Sequence, residues 1–371
     1  MTTIDVRAMP DVSVRDLDRL AERLDGVFRR MAGSELLITG GAGFLGYYLV
    51  QAPLAWNRAN PGADPVRVTV HDTFPRGVPG WLEAAAGPTL RLVTRDVLAP
   101  LPADGPLFDH IVHAASIASP LFYRKHPIET MDANVGGLRL LLDHAAGRVD
   151  TDTPLRGLLF FSTSEIYGDP DPGNIPTAET YRGFVSCTGP RACYDESKRY
   201  GETLCVNFAA RRGVPASIAR PFNNYGPGLR IDDRRVVPDF ARDVLAGRDI
   251  VLLSDGSASR TFCYVADAVD GYYRVLVDGR PGEPYNIGTD RPEISMRQLT
   301  ERLAAVAGEV TGYSGDVVVG TSDDPDYLTD NPNRRSPVID KARTELGYAP
   351  EVDLDDGLER ALRWYLAERE G

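Results

Sequence analysis

Histidine is scarce in this chain, with 5 among 371 residues, and cysteine scarcer, with 4. Cys187, Cys193, Cys205 and Cys263 form no CxxC pair and share no metal-ligand spacing with the histidines. Neither a metal site nor a disulfide framework is therefore expected, and a reduced cytoplasmic compartment suits the thiols. Basic residues are outnumbered, 41 Lys and Arg against 53 Asp and Glu, for a net charge of −12. Such a mean field repels phosphates and argues against a nucleic-acid or anionic-membrane partner. An anionic small molecule would need a local group of arginines or backbone N–H donors. Long apolar runs are missing too. No stretch reaches the ~18 residues of a membrane span, and the start lacks a basic-then-apolar secretion pattern. What remains is ordinary globular composition, 43% hydrophobic and 25% charged, at a length that suits two fused lobes.

Residues 1–34 stand apart as a helical extension. Leu17, Leu20, Leu24, Val27, Phe28 and Met31 recur at helical spacing from Val14 onward, which predicts an amphipathic helix docked on the body or on a second subunit. From Leu36 the pattern becomes an alternation of strands and helices. Strands are expected at residues 35–39, 66–71, 90–94, 110–115, 155–162 and 216–219. Helices are expected at 44–51, 131–146 and 194–212. This order predicts an α/β fold, a doubly wound parallel Rossmann sheet over residues 35–220. Residues 221–371 break into Gly/Pro-rich segments with helices near 237–246 and 296–306. They are expected to form a smaller α/β substrate lobe, with some chain exchange and a sheet not continuous with the first.

Gly40, Gly43 and Gly46 lie between a predicted strand and a predicted helix. The first suits a tight turn, the second lets the backbone approach a pyrophosphate, and the third allows close helix packing. Phe44 and Leu45 open the helix, where free N–H groups face phosphates. Asp72 ends the next strand, placed to accept from ribose hydroxyls and repel a 2′-phosphate. That favours NAD over NADP, although Arg76 stands nearby. Asp96 and Val97 follow the third strand, as an adenine contact or as a helix N-cap with an apolar neighbour.

Thr163-Ser164-Glu165 ends the fifth strand, on the sheet edge that faces the ligand crevice. Tyr194 and Lys198 fall at i and i+4 of one helix. An ammonium there is expected to lower the phenol pKa and make Tyr194 a general base, with Thr163 holding the same hydroxyl from the other side.

These segments, with His113-Ala114-Ala115-Ser116, Gly189-Pro190-Arg191, Arg220-Pro221-Phe222-Asn223-Asn224-Tyr225-Gly226-Pro227, Asp232-Asp233-Arg234-Arg235 and Ser259-Arg260-Thr261-Phe262, make residues 35 to about 368 resemble the extended short-chain dehydrogenase/reductase family. Within it the chain is most similar to the UDP-glucuronate decarboxylases. The resemblance implies a redox-neutral cycle on NAD, cytoplasmic and homodimeric, with a nucleotide sugar as substrate. By the same resemblance Ala114, Tyr194 and Lys198 touch the cofactor, while Ser119, Tyr123, Ser164, Asn223, Arg235 and Arg260 bind the substrate. Glu165 assists at the C5/C6 end, and Asn223, Arg235 and Arg260 serve the nucleotide diphosphate. The dimer would form through the helix bearing Tyr194 and the one before it. A 4,6-dehydratase would carry an Asp where Ser164 stands, and a 4-epimerase would lack Glu165. A non-catalytic NAD-binding scaffold would commonly have lost Tyr194 or Lys198. Ser197, Pro221 and the pair Tyr47-Tyr48 depart from the decarboxylase pattern.

Overall fold

The computed structural model describes residues 11–102, 104–322, 326 and 329–370. Seven strands make the central sheet: β1 (Glu35–Thr39), β2 (Arg67–Asp72), β3 (Leu90–Thr94), β4 (His110–His113), β5 (Gly157–Phe161), β6 (Ala216–Pro221) and β7 (Pro284–Ile287). Their order is β7-β6-β5-β4-β1-β2-β3, and every neighbouring pair is parallel. β4 and β5 are buried at every position, as expected of parallel strands covered by helices on both faces. The order reverses between β1 and β4. A crevice for a ligand therefore opens at their carboxyl ends, beyond Thr39 and His113.

One expectation is corrected. The later part of the chain returns to the first sheet, because β7 pairs with β6 in register Tyr285 to Ala219. A four-residue strand of Pro, Tyr, Asn and Ile has no periodicity to announce it. Outside the main sheet lie small ones, such as Asn224–Tyr225 beside Cys263–Tyr264 and Ser259–Arg260 between Ile294–Ser295 and Arg334–Arg335.

The amphipathic segment is two helices, α1 (Asp11–Arg23) and α2 (Asp25–Met31), and residues 1–10 lie outside the described part. Leu17, Leu20, Leu24, Val27, Phe28 and Met31 are all buried in the main core. Of the two surfaces considered, the helices dock on the chain's own body. They pack on α3 (Phe44–Ala59), on α5 (Val265–Asp278) and on the C-terminal helix α6 (Leu354–Glu370), while α4 (Ala192–Arg212) lies elsewhere and carries Tyr194. This accounts for Tyr47 and Tyr48. Tyr47 donates to Ser13 Oγ at 2.9 Å, and Tyr48 donates to Asp16 Oδ2 at 2.6 Å. Asp16 also accepts from Tyr264 at 2.5 Å and from Arg360 at 2.7 Å. One buried carboxylate thus ties the extension to the helix after the glycine turn, to residue 264 and to α6.

The helix expected over 131–146 is interrupted. Pro127–Met131 runs into a π-helical turn, Asp132–Gly137, before Leu138–Ala146 resumes α geometry. Such turns widen a helix locally and gather at functional sites. Here the turn aims Asn134 Nδ2 at Ser197 Oγ, 2.9 Å away, and Ser197 Oγ donates to Tyr194 O at 2.9 Å. Ser197 is accommodated as the link between the two.

Candidate active site

A cleft of about 1640 Å³ opens over the carboxyl ends of the sheet. The glycine turn forms one wall. Gly40 has φ +73°, and a Cβ on it would sit 2.6 Å from Ala115 Cα. A Cβ on Gly46 would come within 2.1 Å of Gly41 O. The turn is thus folded on its own backbone, and its free N–H groups at the start of α3 are left for a ligand phosphate. Gly46→Ala should therefore displace the start of α3 and strip bound NAD from the purified protein. Gly62→Ala, where the new Cβ would meet nothing within 4 Å, should leave the NAD content unchanged. Equal NAD content in both variants would remove the close packing from the account.

Asp72 accepts from Ala42 N at 3.1 Å and from Phe74 N at 2.9 Å, so it steadies the turn at the end of β2. Arg76 is stacked over the Phe122 ring at 5.5 Å. Asp96 accepts from Leu98 N at 2.9 Å and begins a turn; no helix follows, which removes the helix N-cap alternative. Val97 packs where only glycine fits: a Cβ on Gly137 would lie 2.7 Å from its Cγ1. Gly40, Gly43, Phe44, Leu45, Asp72, Asp96, Val97 and Ala114 all line the cleft. The glycine cradle and the carboxylate at the end of β2 fit an NAD molecule.

Thr163 caps a single 3-10 turn, Ser164–Tyr167, accepting from Glu165 N at 3.2 Å. Tyr194 stacks on Tyr123 with ring centres 4.9 Å apart and planes 8° from parallel. Lys198 is buried and donates to Phe161 O at 2.8 Å, with Nζ 5.7 Å from the Tyr194 ring centre. The net lowering of the Tyr194 phenol expected from this ammonium is not found. Burial pushes the phenol up to about 12; a hydrogen bond with Thr163 and the charge of Arg235 pull the other way. Burial also draws Lys198 down to about 7, so its charge is itself weakened.

Glu165 is held by two arginines. Arg335 Nη1 and Nη2 reach its two oxygens at 2.5 Å each, and Arg191 Nη2 reaches Oε2 at 2.5 Å. Burial opposes its ionisation, yet the charges of Arg191 and Arg335 outweigh burial and hold the carboxyl at about 2. Arg260 stands in the same field. Burial and Arg335 lower it to about 9, and its guanidinium donates to Pro332 O at 2.5 Å and Asn333 O at 3.2 Å. Arg235 pairs with Asp233 at 2.5 Å and lies over the Phe44 ring at 5.3 Å. Ser119 Oγ donates to Asp233 O at 2.8 Å, and Asn223 Nδ2 to Thr261 O at 2.9 Å. Ser119, Tyr123, Ser164, Asn223, Arg235 and Arg260 line the same cleft as Thr163, Glu165, Tyr194 and Lys198. Among the described residues no three His, Cys, Asp or Glu side chains converge as metal ligands, and no helix is long and apolar enough to cross a membrane.

Arg335 and Asn134 are site residues that the sequence did not single out, and Arg191 and Asp233 stood in quoted motifs without a role of their own. Arg191 had a usable signal, three residues before Tyr194 on the same helical turn. Arg335 lies 170 residues from Glu165 and had none.

Residues 36–288 match the model of the NAD dependent epimerase/dehydratase family. UDP-glucuronic acid decarboxylase 3 of Arabidopsis thaliana is 38% identical over 324 residues, 87% of this chain and 86% of the relative. UDP-glucuronic acid decarboxylase 1 of Xenopus tropicalis is 35% identical over 342 residues, 90% of this chain and 73% of the relative. The dTDP-glucose 4,6-dehydratase DesIV of Streptomyces venezuelae, solved with NAD bound, superposes with a TM-score of 0.75 at 29% identity, covering 91% of this chain and 98% of that one. With the glycine cradle, the Tyr194–Lys198 pair and these likenesses together, the chain belongs to the NAD dependent epimerase/dehydratase family.

Proposed function

We propose that this chain converts UDP-glucuronate to UDP-xylose and carbon dioxide, through a 4-keto intermediate on bound NAD. The observation that carries the choice of reaction is the state of Thr163-Ser164-Glu165. A dehydratase needs an acid here to protonate a departing C6 hydroxyl. Ser164 is a poor proton donor, and Glu165 is held ionised by Arg191 and Arg335. Decarboxylation needs no such acid, and the relatives named above are decarboxylases.

In the cycle Tyr194 takes the proton of the C4 hydroxyl, with Thr163 on the same oxygen. NAD supplies the place where the C4 hydride is kept and from which it returns. The resulting C4 ketone lies β to the C6 carboxylate. The C5–C6 bond can then break with its electron pair entering a C4–C5 enolate, and carbon dioxide leaves. Protonation at C5 by a proton drawn from solvent, return of the hydride to C4 and return of the Tyr194 proton to the C4 oxygen complete the pentose. Gly40, Gly43, Phe44, Leu45, Asp72, Asp96, Val97, Ala114 and Lys198 hold the cofactor. Ser119, Tyr123, Ser164, Asn223, Arg235 and Arg260 hold the nucleotide sugar, and supply the local cations that an acidic chain requires. Residues 35–220 serve chiefly the cofactor and 221–371 chiefly the sugar nucleotide.

We place a homodimer contact on α4 and Leu138–Ala146, where Tyr200 and Val206 stand exposed on α4, and the protein in the cytoplasm, which suits four unpaired cysteines. The test is incubation with UDP-glucuronate while carbon dioxide and the sugar product are followed. Equal amounts of carbon dioxide and UDP-pentose are expected. No turnover there, with a 4-keto-6-deoxy product from UDP- or dTDP-glucose, would make it a dehydratase.

A further inference from the structure

The buried Tyr47 ring stands between the N-terminal extension and the loop that carries Arg235. Trp81 meets it edge-on at 5.0 Å, Tyr48 at 5.2 Å and Trp364 at 5.9 Å, and its hydroxyl donates to Ser13 Oγ of α1 at 2.9 Å. Gly228 rests against it. That residue has φ +86°, and a Cβ on it would lie 2.5 Å from Tyr47 Cβ, 2.8 Å from Tyr47 Cγ and 3.1 Å from Phe44 O. All three atoms belong to the first turn of α3. A side chain at position 228 would be strained in its backbone and would strike that helix, so glycine lets the chain come down onto Tyr47.

The far end of the same loop returns to the same turn. Arg235 lies over the Phe44 ring at 5.3 Å and pairs with Asp233, whose carbonyl accepts from Ser119 Oγ at 2.8 Å. Between the two ends Arg230 and Asp232 pair with each other, and Arg234 has φ +70°. The start of α3 thus holds the loop at both ends. Where the Tyr47 ring sits fixes where Gly228 sits, and through the loop where the Arg235 guanidinium is presented. We propose that Tyr47 is a positioning residue for the sugar nucleotide: its ring, held by the extension and the aromatic neighbours, seats residues 228–235 so that Arg235 reaches the diphosphate. The inference rests on the placement of Arg235 at the diphosphate in the reading above, and it gives α1 a part in substrate affinity. Arginine grips phosphate through a fixed fork of N–H donors, so a displacement of about 1 Å is enough to lose most of the contact.

The test reads binding and turnover separately. In the holoenzyme, affinities for UDP and dTDP are measured by calorimetry, with KM and kcat for UDP-glucuronate alongside. Tyr47→Ala removes the seat. It should weaken nucleotide binding and raise KM by about tenfold, while kcat stays within about threefold and NAD stays bound. Tyr47→Phe restores the ring without the Ser13 bond, so it should recover nucleotide affinity to within about twofold of the parent and still melt lower. A purely structural role would move melting temperature in both variants without this split in affinity. Should Tyr47→Ala not fold, Gly228→Ala strikes the same contact from the loop, and the same tenfold weakening is expected. Unmoved nucleotide affinity in folded Tyr47→Ala, or failing that in Gly228→Ala, overturns the proposal. A tenfold loss in Tyr47→Phe also overturns it, since the hydroxyl and not the ring would then matter. Loss of NAD together with the nucleotide overturns it too, by making Tyr47 a support of the cofactor site. Nucleotide affinity does not depend on what becomes of the sugar. Weakened affinity in the variants with no carbon dioxide released by the parent counts against the decarboxylase reading alone, and release with unmoved affinity counts against this proposal alone.

Discussion

Tyr194→Phe should leave NAD bound and abolish C4 oxidation, with turnover down by about a thousandfold or more, within the range for loss of a positioned general base. The substitution keeps the ring, so the stack on Tyr123 at 4.9 Å and the burial of the site survive. What goes is the one oxygen that Thr163 and Arg235 favour as an anion. Burial first, then the charges of Glu165 and Asp195, hold this phenol up at about 12, so the protein does not by itself hold Tyr194 ionised. NAD held by the glycine cradle would add the positive charge of its nicotinamide, so proton uptake by Tyr194 is expected only in the loaded, oxidised enzyme. Cofactor content by absorbance and formation of a 4-keto sugar by trapping are the two readings. Near-wild-type activity in Tyr194→Phe would take Tyr194 out of its role. Loss of NAD along with activity would make it a cofactor-holding residue instead.

Asp16→Ala should be among the most damaging changes far from the cleft. It removes the acceptor for Tyr48 and Tyr264 and one partner of Arg360, in a place where Asp16 itself is 1% exposed. Burial raises the pKa of its carboxyl, and the hydrogen bonds from the two tyrosines and Arg360 offset that. Taking the carboxylate away leaves two buried hydroxyls without an acceptor, which costs about 1–3 kcal/mol for each such group, and weakens a buried ion pair as well. A net loss of about 3 kcal/mol is expected, or roughly 4 °C in melting temperature for a chain of this size. Asp18→Ala is the control, since its carboxylate is 60% exposed and pairs with Arg58 at the surface, so it should melt close to the parent. If Asp16→Ala also melts with the parent, the extension is ornamental, and Tyr47-Tyr48 needs another explanation.

The parallel sheet and the glycine turn were legible because their signals are local. β1 and β5 carry the apolar runs Leu36-Leu37-Ile38 and Leu158-Leu159-Phe160-Phe161, β2 and β4 centre on Val68, Val70, Ile111 and Val112, and Gly40 to Gly46 sits between strand and helix. Tyr194, Lys198 and Thr163 were legible from chain order as well as spacing. β7 was not, because four residues beginning with proline carry no period, and only pairing with β6 makes them a strand. The partners of Glu165 were not foreseen for a similar reason. Arg335 reaches it across 170 residues, and nothing in Arg334-Arg335 says which of the two turns inward. The electrostatics of Tyr194 were misread because proximity of Lys198 was visible in the sequence while burial was not. Tyr47 and Tyr48 looked like deviations until Ser13 and Asp16 were found beneath them.

The account holds that a hydride borrowed from C4 returns to C4 after carbon dioxide has gone. UDP-glucuronate carrying deuterium at C4 tests this directly, with the pentose product and the cofactor examined by mass spectrometry. The account predicts UDP-xylose that keeps the deuterium at C4, carbon dioxide in equal amount, and no labelled NADH in solution. Deuterium appearing on free NADH, or a 4-keto product without the label, would contradict it.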